Sequence, residues 1–343
     1  MKTAPHILVI RLSAMGDVAM LVPVLWVLAQ TYPELKITVL TKPFFNPLFN
    51  GIPNISILTA EVYTRHKGFG IISLASEAAA LKLTAVADVH NVLRSKIIRF
   101  LLWIRGVKIS PIDKGRGEKK LLTNANGAEI KPIKSTHQRY AAVFGNLGYP
   151  INLKEHIAPK PKQLSSKLQE LVGTKPRKLI GIAPFAAHEG KMYPLSFMKR
   201  VIEDLNKTNS YQIFLFGGGK KEITKLNKLA FGFETVSNIA GQLTFEEELA
   251  LISNLDIMLS MDSGNGHLAA MYGIPVITLW GVTHPYTGFR PFNQPNENQI
   301  ISNRDKYPLI PTSVYGNKLP KGYEKVMESI PPELVVEKVL KTL

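Results

Sequence analysis

Five short stretches of the chain carry residues able to do chemistry. The first is SAMGD at 13–17, set between an apolar run and a helical pattern. In an open parallel sheet such a turn lies at the carboxyl edge of the strands, where ligands bind. Gly16 permits close approach, Ser13 supplies a hydroxyl, and Asp17 offers a carboxylate able to take a proton. Asp17 is equally well placed to cap the helix that follows, and the residues alone leave both roles open. The spacing is not GxGxxG, so it does not support a dinucleotide fingerprint.

Three more stretches sit in the second half. MDSGNGHLAAMYGIPVITLWG, 261–281, reads as strand, turn, helix and returning strand. Its turn, with Asp262, Ser263, Gly264 and Gly266, offers backbone N–H groups at a helix start, a common way to hold a phosphate. His267 is either a phosphate contact or a structural hydrogen-bonding group. In APFAAHEGKMYP, 183–194, Lys191 follows a strand, where a lysine neutralises phosphate oxygens; a solvated loop lysine is the other reading. In FGGGKKE, 216–222, three glycines after a strand allow close backbone contact, and Glu222 can pair with ribose hydroxyls; a flexible loop is the alternative. The stretch lacks the GKS/T ending of a P-loop. The fifth stretch, RSKIIRFLLWIRGVK at 94–108, mixes basic residues with Phe100 and Trp103. It reads either as an interfacial helix or, more readily, as a helix buried on one side against a sheet.

These residues need strands and helices to position them. HILVIRL is an apolar run of strand length, suited to a parallel strand buried on both faces, and KITVLT, NISIL and LTAVADV are strand-like too. The run 18–30 is helical in pattern, with Pro23 expected near its start or at a kink. A polar segment at 108–134 resists assignment, and a helix pattern returns at 137–149. Residues 157–178 are rich in proline and lysine and read as a linker. The alternation then restarts: LIGIAPF, YQIFLFG and DIMLSMD as strands, and helices after Pro194, after the triple glycine and after Thr244, which heads a capping box with Glu247. We therefore expect an α/β chain of two Rossmann-like units: residues 1–160, a linker at 161–178, residues 179–330, and a terminal helix at 331–343.

Composition narrows the partners. The 343 residues suffice for two domains, and 45% apolar content suits a globular protein. There is no cysteine, which excludes disulfides and thiolate metal sites. No HExxH, no DxD pair and no His/Asp/Glu set of metal-ligand spacing occurs, so no tightly held metal is expected. The net charge of +16 favours an anionic partner: a phosphorylated or carboxylated substrate, an anionic membrane face or nucleic acid. No basic arm or nucleic-acid motif is present, which ranks nucleic acid below the other two. The N-terminal residues run directly into a strand pattern rather than a secretory signal, and no apolar run reaches the ~20 residues of a membrane span. The expectation is a cytoplasmic protein with, at most, peripheral membrane contact.

In order along the chain, ILVIRLSAMGDVAMLVPVL, ADVHNVLRSKIIRF, HQRYAAVFGNLG, KMYPLSFMKRVIEDL and MDSGNGHLAAMYGIPVITLWGVTHP resemble the blocks of glycosyltransferase family 9, the bacterial lipopolysaccharide heptosyltransferases. The resemblance implies a GT-B fold, with two facing Rossmann-like domains, the first binding acceptor and the second nucleotide-sugar, and a deep cleft between them. It implies inverting transfer from an ADP-sugar, typically ADP-heptose, to the inner core of lipopolysaccharide, with no cofactor and no required metal, at the inner face of the cytoplasmic membrane. Asp17 matches the proposed base, with Gly16 shaping its turn. Lys191 matches the lysine at the donor phosphates, and Asp262, Ser263, Gly264 and His267 the donor-binding turn. Glu222, or Lys221 if the alignment slips by one, falls near the ribose-binding acid. Arg11 matches a basic residue on the acceptor side, which Arg94 and Arg139 extend. Four features depart from the family pattern: Ala186–Ala187 replace hydroxyl residues at the phosphates, Leu243 replaces a methionine over the adenine, His284 replaces an aspartate, and the tail at 302–327 lacks cysteines. The competing readings are a same-fold transferase using another nucleotide-sugar for a different surface glycan, and a non-catalytic nucleotide-sugar-binding protein.

Overall fold

The apolar runs form the strands; those in the middle of each sheet are buried on both faces, as central parallel strands must be, while the edge run at 55–59 is only partly buried. A computed structural model of the chain describes residues 4–174 and 177–343. Residues 1–3 of the expected first domain and Lys175 and Pro176 of the expected linker lie outside the described residues.

In chain order the elements are β1 (His6–Ile10), α1 (Met15–Thr31), β2 (Lys36–Thr41), β3 (Ile55–Thr59), α2 (Gly70–Ala79), β4 (Ala85–Asp88), α3 (Leu93–Trp103), β5 (Lys108–Pro111), α4 (Arg116–Thr123), α5 (Thr136–Leu147) and α6 (Ser166–Val172). They continue with β6 (Lys178–Ala183), α7 (Leu195–Asn206), β7 (Tyr211–Leu215), α8 (Gly219–Ala230), β8 (Val236–Asn238), α9 (Phe245–Ile252), β9 (Ile257–Met261), α10 (Gly264–Ala270), β10 (Val276–Trp280), β11 (Gln299–Ile301) and α11 (Pro332–Thr342).

The chain divides into two compact units, residues 1–114 with 136–157, and residues 115–135 with 158–343. The first holds a parallel sheet ordered β3-β2-β1-β4-β5. The chain winds outward one way from β1, then returns to lay β4 on its other side. The β1–α1 and β4–α3 turns therefore flank the switch point, where the carboxyl ends of adjacent strands leave a crevice. Helix α1 is apolar nearly all round and is buried along most of its length. It runs unbroken through Pro23, so the proline lies well inside the helix rather than near its start.

The second unit repeats the plan with the order β11-β10-β9-β6-β7-β8, every pairing parallel. Its switch point lies between β6 and β9. The capping box forms as the sequence indicates: Thr244 Oγ1 accepts from Glu247 N–H at 3.2 Å, and Glu247 accepts from Thr244 N–H at 2.8 Å. Helix α11 packs on α7 through buried Val335 and Val339, which makes it part of this unit's core.

Residues 115–135, read from sequence as part of the first domain, go with the second unit. Ile133 N–H donates to the Tyr286 carbonyl at 3.2 Å, Arg304 donates to the Ala128 carbonyl at 3.1 Å, and Lys119 Nζ sits 4.4 Å over the Phe289 ring. These are polar and cation–π contacts, which leave no apolar periodicity to read. Among the described residues no helix is long and apolar enough to cross a membrane.

Candidate active site

Each switch point carries one cluster of the residues singled out above. In the first unit, β1 delivers Arg11 and the turn delivers Ser13, Gly16 and Asp17. Arg11 is buried and fixed from several sides. Its Nη1 donates to the Val89 carbonyl at 2.8 Å, its Nη2 pairs with Asp17 Oδ2 at 2.5 Å, and its guanidinium lies 5.9 Å from the Tyr140 ring centroid. Tyr140 also donates through its hydroxyl to the Asp17 carbonyl at 3.2 Å. Asp17 stands in the first turn of α1, and its Oδ2 accepts from the Ala14 N–H at 3.4 Å. The capping contact and a partly exposed carboxylate thus coexist. Both side-chain contacts fall on Oδ2, and Asp17 Oδ1 has none among the described residues.

The β4–α3 turn supplies residues that sequence reasoning did not single out. Asp88, fully buried, accepts from the backbone N–H groups of His90 and Asn91 at 3.1 and 2.7 Å and pairs with Arg99 at 2.9 Å. This shapes a turn in which Asn91 adopts φ +48, a left-handed conformation that asparagine tolerates. The turn presents His90 to the β1–α1 turn. His90 Nδ1 accepts from Leu12 N–H at 3.4 Å, which puts the proton of the neutral ring on Nε2, 3.4 Å from Ser13 Oγ. Burial first, then the charges of Arg11, Lys114 and Lys42, push its pKa down to about 3. His90 is therefore a neutral clamp at physiological pH. The signal for it was its place immediately after a strand in ADVHN.

Two other basic residues were named for the acceptor side. Arg139 is buried on α5 and faces Asp113, with its Nη1 3.5 Å from the carboxylate. Arg94 is exposed in the first turn of α3.

In the second unit, Lys191 lies in a short 3-10 turn, Glu189–Lys191, after β6, and Asp262 follows β9. Lys191 Nζ is 3.0 Å from Asp262 Oδ2, which also accepts from Thr283 Oγ1 at 2.9 Å. Lysine, aspartate and threonine are 9%, 7% and 0% exposed, so Lys191 is not a solvated loop lysine. A buried ammonium requires such a partner. Glycines let the backbone close around it. A Cβ built on Gly281 would stand 2.0 Å from the Gly190 carbonyl oxygen, and one on Gly316 would stand 2.3 Å from Lys191 Cδ.

Ser263 is the N-cap of α10, and its buried Oγ has no partner among the described residues. With Gly264 it begins a helix of only seven residues. His267 is buried on that helix. Ala186 and Ala187 lie in the loop between β6 and Lys191, and the Ala186 N–H meets Met192 Sδ at 3.3 Å. Glu222 turns back to the start of its own helix, α8, accepting from Gly218 N–H at 2.8 Å, while Lys221 is exposed. Leu243 is half-buried just before α9. His284 accounts for one departure from the family pattern. It is the N-cap of a 3-10 turn, and its Nδ1 accepts from Tyr286 N–H at 3.1 Å, the contact an aspartate would make. Burial, with Arg304 nearby, pushes its pKa down to about 4. Among the described residues no three His, Asp or Glu side chains come together as a metal site.

Comparison with known proteins identifies the family. The family model for glycosyltransferase family 9 (heptosyltransferase) matches residues 73–318. The chain is 26% identical to the lipopolysaccharide core heptosyltransferase OpsX of Haemophilus influenzae, covering 97% of this chain and 94% of that one. It is similar in fold to the crystal structure of a family 9 glycosyltransferase from Veillonella parvula, with TM-score 0.74, 19% identity and coverage of 100% and 98%. It is also similar to the Escherichia coli ADP-heptose lipopolysaccharide heptosyltransferase II, with TM-score 0.67, 19% identity and coverage of 98% of each chain. The fold is GT-B, and the chain belongs to glycosyltransferase family 9 and is a glycosyltransferase.

Proposed function

We propose that this enzyme transfers a heptose from ADP-heptose to the inner core of lipopolysaccharide with inversion at the anomeric carbon. The observation that carries the reading is Asp17. It is anchored through Oδ2 by Arg11 and the Ala14 N–H, with Oδ1 left for a substrate hydroxyl. His90, with its depressed pKa, is a poor proton acceptor, which leaves the base role to Asp17.

In this reading Asp17 Oδ1 takes the proton of the acceptor hydroxyl. That oxygen bonds to the anomeric carbon from the face opposite the leaving group, and the bond to the β-phosphate oxygen breaks with its electron pair on ADP. Lys191 stabilises that charge. Asp262 accepts one of the three ammonium donors and leaves the others for phosphate oxygens. Asp262 thus serves the donor by orienting Lys191. Ser263 Oγ and the backbone N–H groups beside it supply further donors, where Ala186 and Ala187 offer only backbone. Glu222 and Leu243 belong to the nucleoside end, and Arg94 and Arg139 to the acceptor side. No metal ion enters the mechanism, because the ammonium provides the countercharge.

The chemistry of the acceptor supports a site at the cytoplasmic face of the cytoplasmic membrane, with peripheral contact. An inner-core acceptor is lipid-borne and anionic, and the chain carries a net charge of +16. The decisive assay offers the enzyme ADP-, GDP- and UDP-sugars with a truncated lipopolysaccharide acceptor and weighs the product by mass spectrometry. Addition of one heptose from ADP-heptose, undiminished by EDTA, is the expected outcome. Turnover with a different nucleotide-sugar, or donor binding with no turnover, would replace the reading with another transferase or a binding protein.

A further inference from the structure

The α3 helix has one face that neither the sheet nor the proposed chemistry uses. Ser95, Ile98 and Leu102 pack inward. On the opposite side Leu93, Ile97, Phe100 and Ile104 follow at i, i+4, i+7 and i+11, a continuous stripe along a helix, and Trp103 stands beside them. All are exposed, Phe100 by 56% and Trp103 by 60%. The two rings pack together with centroids 6.0 Å apart. Helix α2, packed beside α3, adds exposed Phe69 and Ile72. The helix is thus buried on one side against the sheet, as one reading of the 94–108 stretch has it, and apolar on the other.

Charge indicates what covers the stripe. Between Asp88 and Asp113 the chain has five basic residues, Arg94, Lys96, Arg99, Arg105 and Lys108, and no acidic one. On a helical projection Arg94 and Arg105 flank one side of the stripe and Lys96 the other, while Arg99 is taken by Asp88. On α2, Glu77 is already paired with Arg65 and His66. Exposed Tyr63, whose hydroxyl receives Lys42 at 3.0 Å, is near enough to Arg94 to feel its charge. Aromatic and aliphatic side chains bordered by lysine and arginine match the interface of an anionic bilayer, where rings sit at the headgroup level and basic groups meet phosphate. A second copy of this chain fits poorly, because a two-fold contact would set the same basic borders against each other.

We infer that the outer face of α3, with Phe100 and Trp103 as its anchors, docks this enzyme on an anionic lipid surface. The inference rests on the membrane-borne acceptor of the proposed function, but its test does not depend on transfer. The full chain is sedimented with vesicles of phosphatidylglycerol and, separately, of phosphatidylcholine, while Trp fluorescence is recorded. Binding to phosphatidylglycerol with a blue-shifted emission is expected. F100S/W103S weakens it at least tenfold, and K96E/R105E weakens it at least about tenfold and only on the anionic vesicles. Circular dichroism checks that both variants stay folded, and transfer to a soluble truncated acceptor should be unchanged. Vesicle binding that persists in both variants would overturn the inference. So would an absence of vesicle binding by the unaltered chain, or a dimer in sedimentation velocity that F100S/W103S abolishes while vesicle binding is unaffected. If the transfer assay fails and the vesicle results hold, the docking face stands and the acceptor assignment falls.

Discussion

The two switch points are built alike and differ in how far they are sealed. Both set a charged pair beside the carboxyl ends of adjacent central strands, and both stabilise the surrounding loops with a buried, neutral histidine, His90 in one and His284 in the other. At the first, Asp17 remains about a quarter exposed and keeps one carboxylate oxygen clear. At the second, Lys191 and Asp262 are nearly sealed and walled by glycines. In the proposed function the first arrangement presents the reactive atom, and the second holds the charge that meets the donor. Mutations should therefore separate rate from affinity and stability.

The largest effect should come from Asp17→Ala. Loss of a general base lowers kcat by roughly 10²–10⁴-fold, while ADP affinity by calorimetry stays within about twofold; the unfolding midpoint falls less than for a sealed pair, because Asp17 is about a quarter exposed and Arg11 keeps the Val89 carbonyl. Near-normal turnover in this variant would remove Asp17 from the chemistry. Lys191→Ala should behave in the opposite sense. In the proposed function it removes the donor's countercharge, and it leaves Asp262 buried without its cation, a change that costs about 3–5 kcal/mol where such pairs have been broken. ADP affinity should fall at least tenfold, and chemical denaturation should register the lost stability. If Lys191→Ala is as stable as the parent and loses only rate, the contrast between the two centres is wrong.

This contrast was only half visible in the amino-acid order. SAMGD and DSGNGH were recognisable because an apolar run, a glycine turn and a helical pattern follow one another locally. The contacts that give those turns their character are not local. Leu12 and Ser13 meet His90, and Lys191 meets Asp262, across gaps of tens of residues set by strand order. The long central strands announced themselves as apolar runs. The edge strands β8 and β11, three residues each, carry too few side chains to show a period. Helix α2 begins at Gly70 after Phe69, with no side-chain cap to mark it. Family likeness supplied roles for Lys191 and Asp262, but not the fact that one holds the other.

A smaller and more specific perturbation tests the sealing of the second centre. Gly281→Ala would drive a methyl group into the Gly190 carbonyl and Met327 Sδ, and neither the backbone nor the packed sulfur can yield cheaply. The turn carrying Lys191 must shift, and the bond from Val282 N–H to the Gly190 carbonyl, 2.9 Å, must lengthen. ADP binding should weaken several-fold while Asp17-dependent chemistry, measured as kcat at saturating donor, changes little. A larger loss in kcat than in affinity would mean that Lys191 acts mainly in the transition state.

The smallest effect concerns the feature the two centres share. His90 and His284 have folded pKa values of about 3 and about 4, below the 6.5 of an unfolded histidine. Between those limits the unfolded chain binds protons that the folded chain refuses, so stability rises with pH. Sign and window follow directly: the contribution is complete above pH 6.5 and is lost progressively as pH falls toward 3. Each histidine contributes on the order of a few kcal/mol to that slope. His284→Asp should keep the cap to Tyr286 N–H and flatten the slope between pH 6 and pH 4. His90→Gln should flatten it as well but also loosen the turn that carries Asp17, so it alone should lower kcat. Unfolding midpoints in urea at pH 7, 6, 5 and 4, set beside kcat at pH 7, measure both. If the two variants changed rate equally, the histidines would not be acting on separate centres.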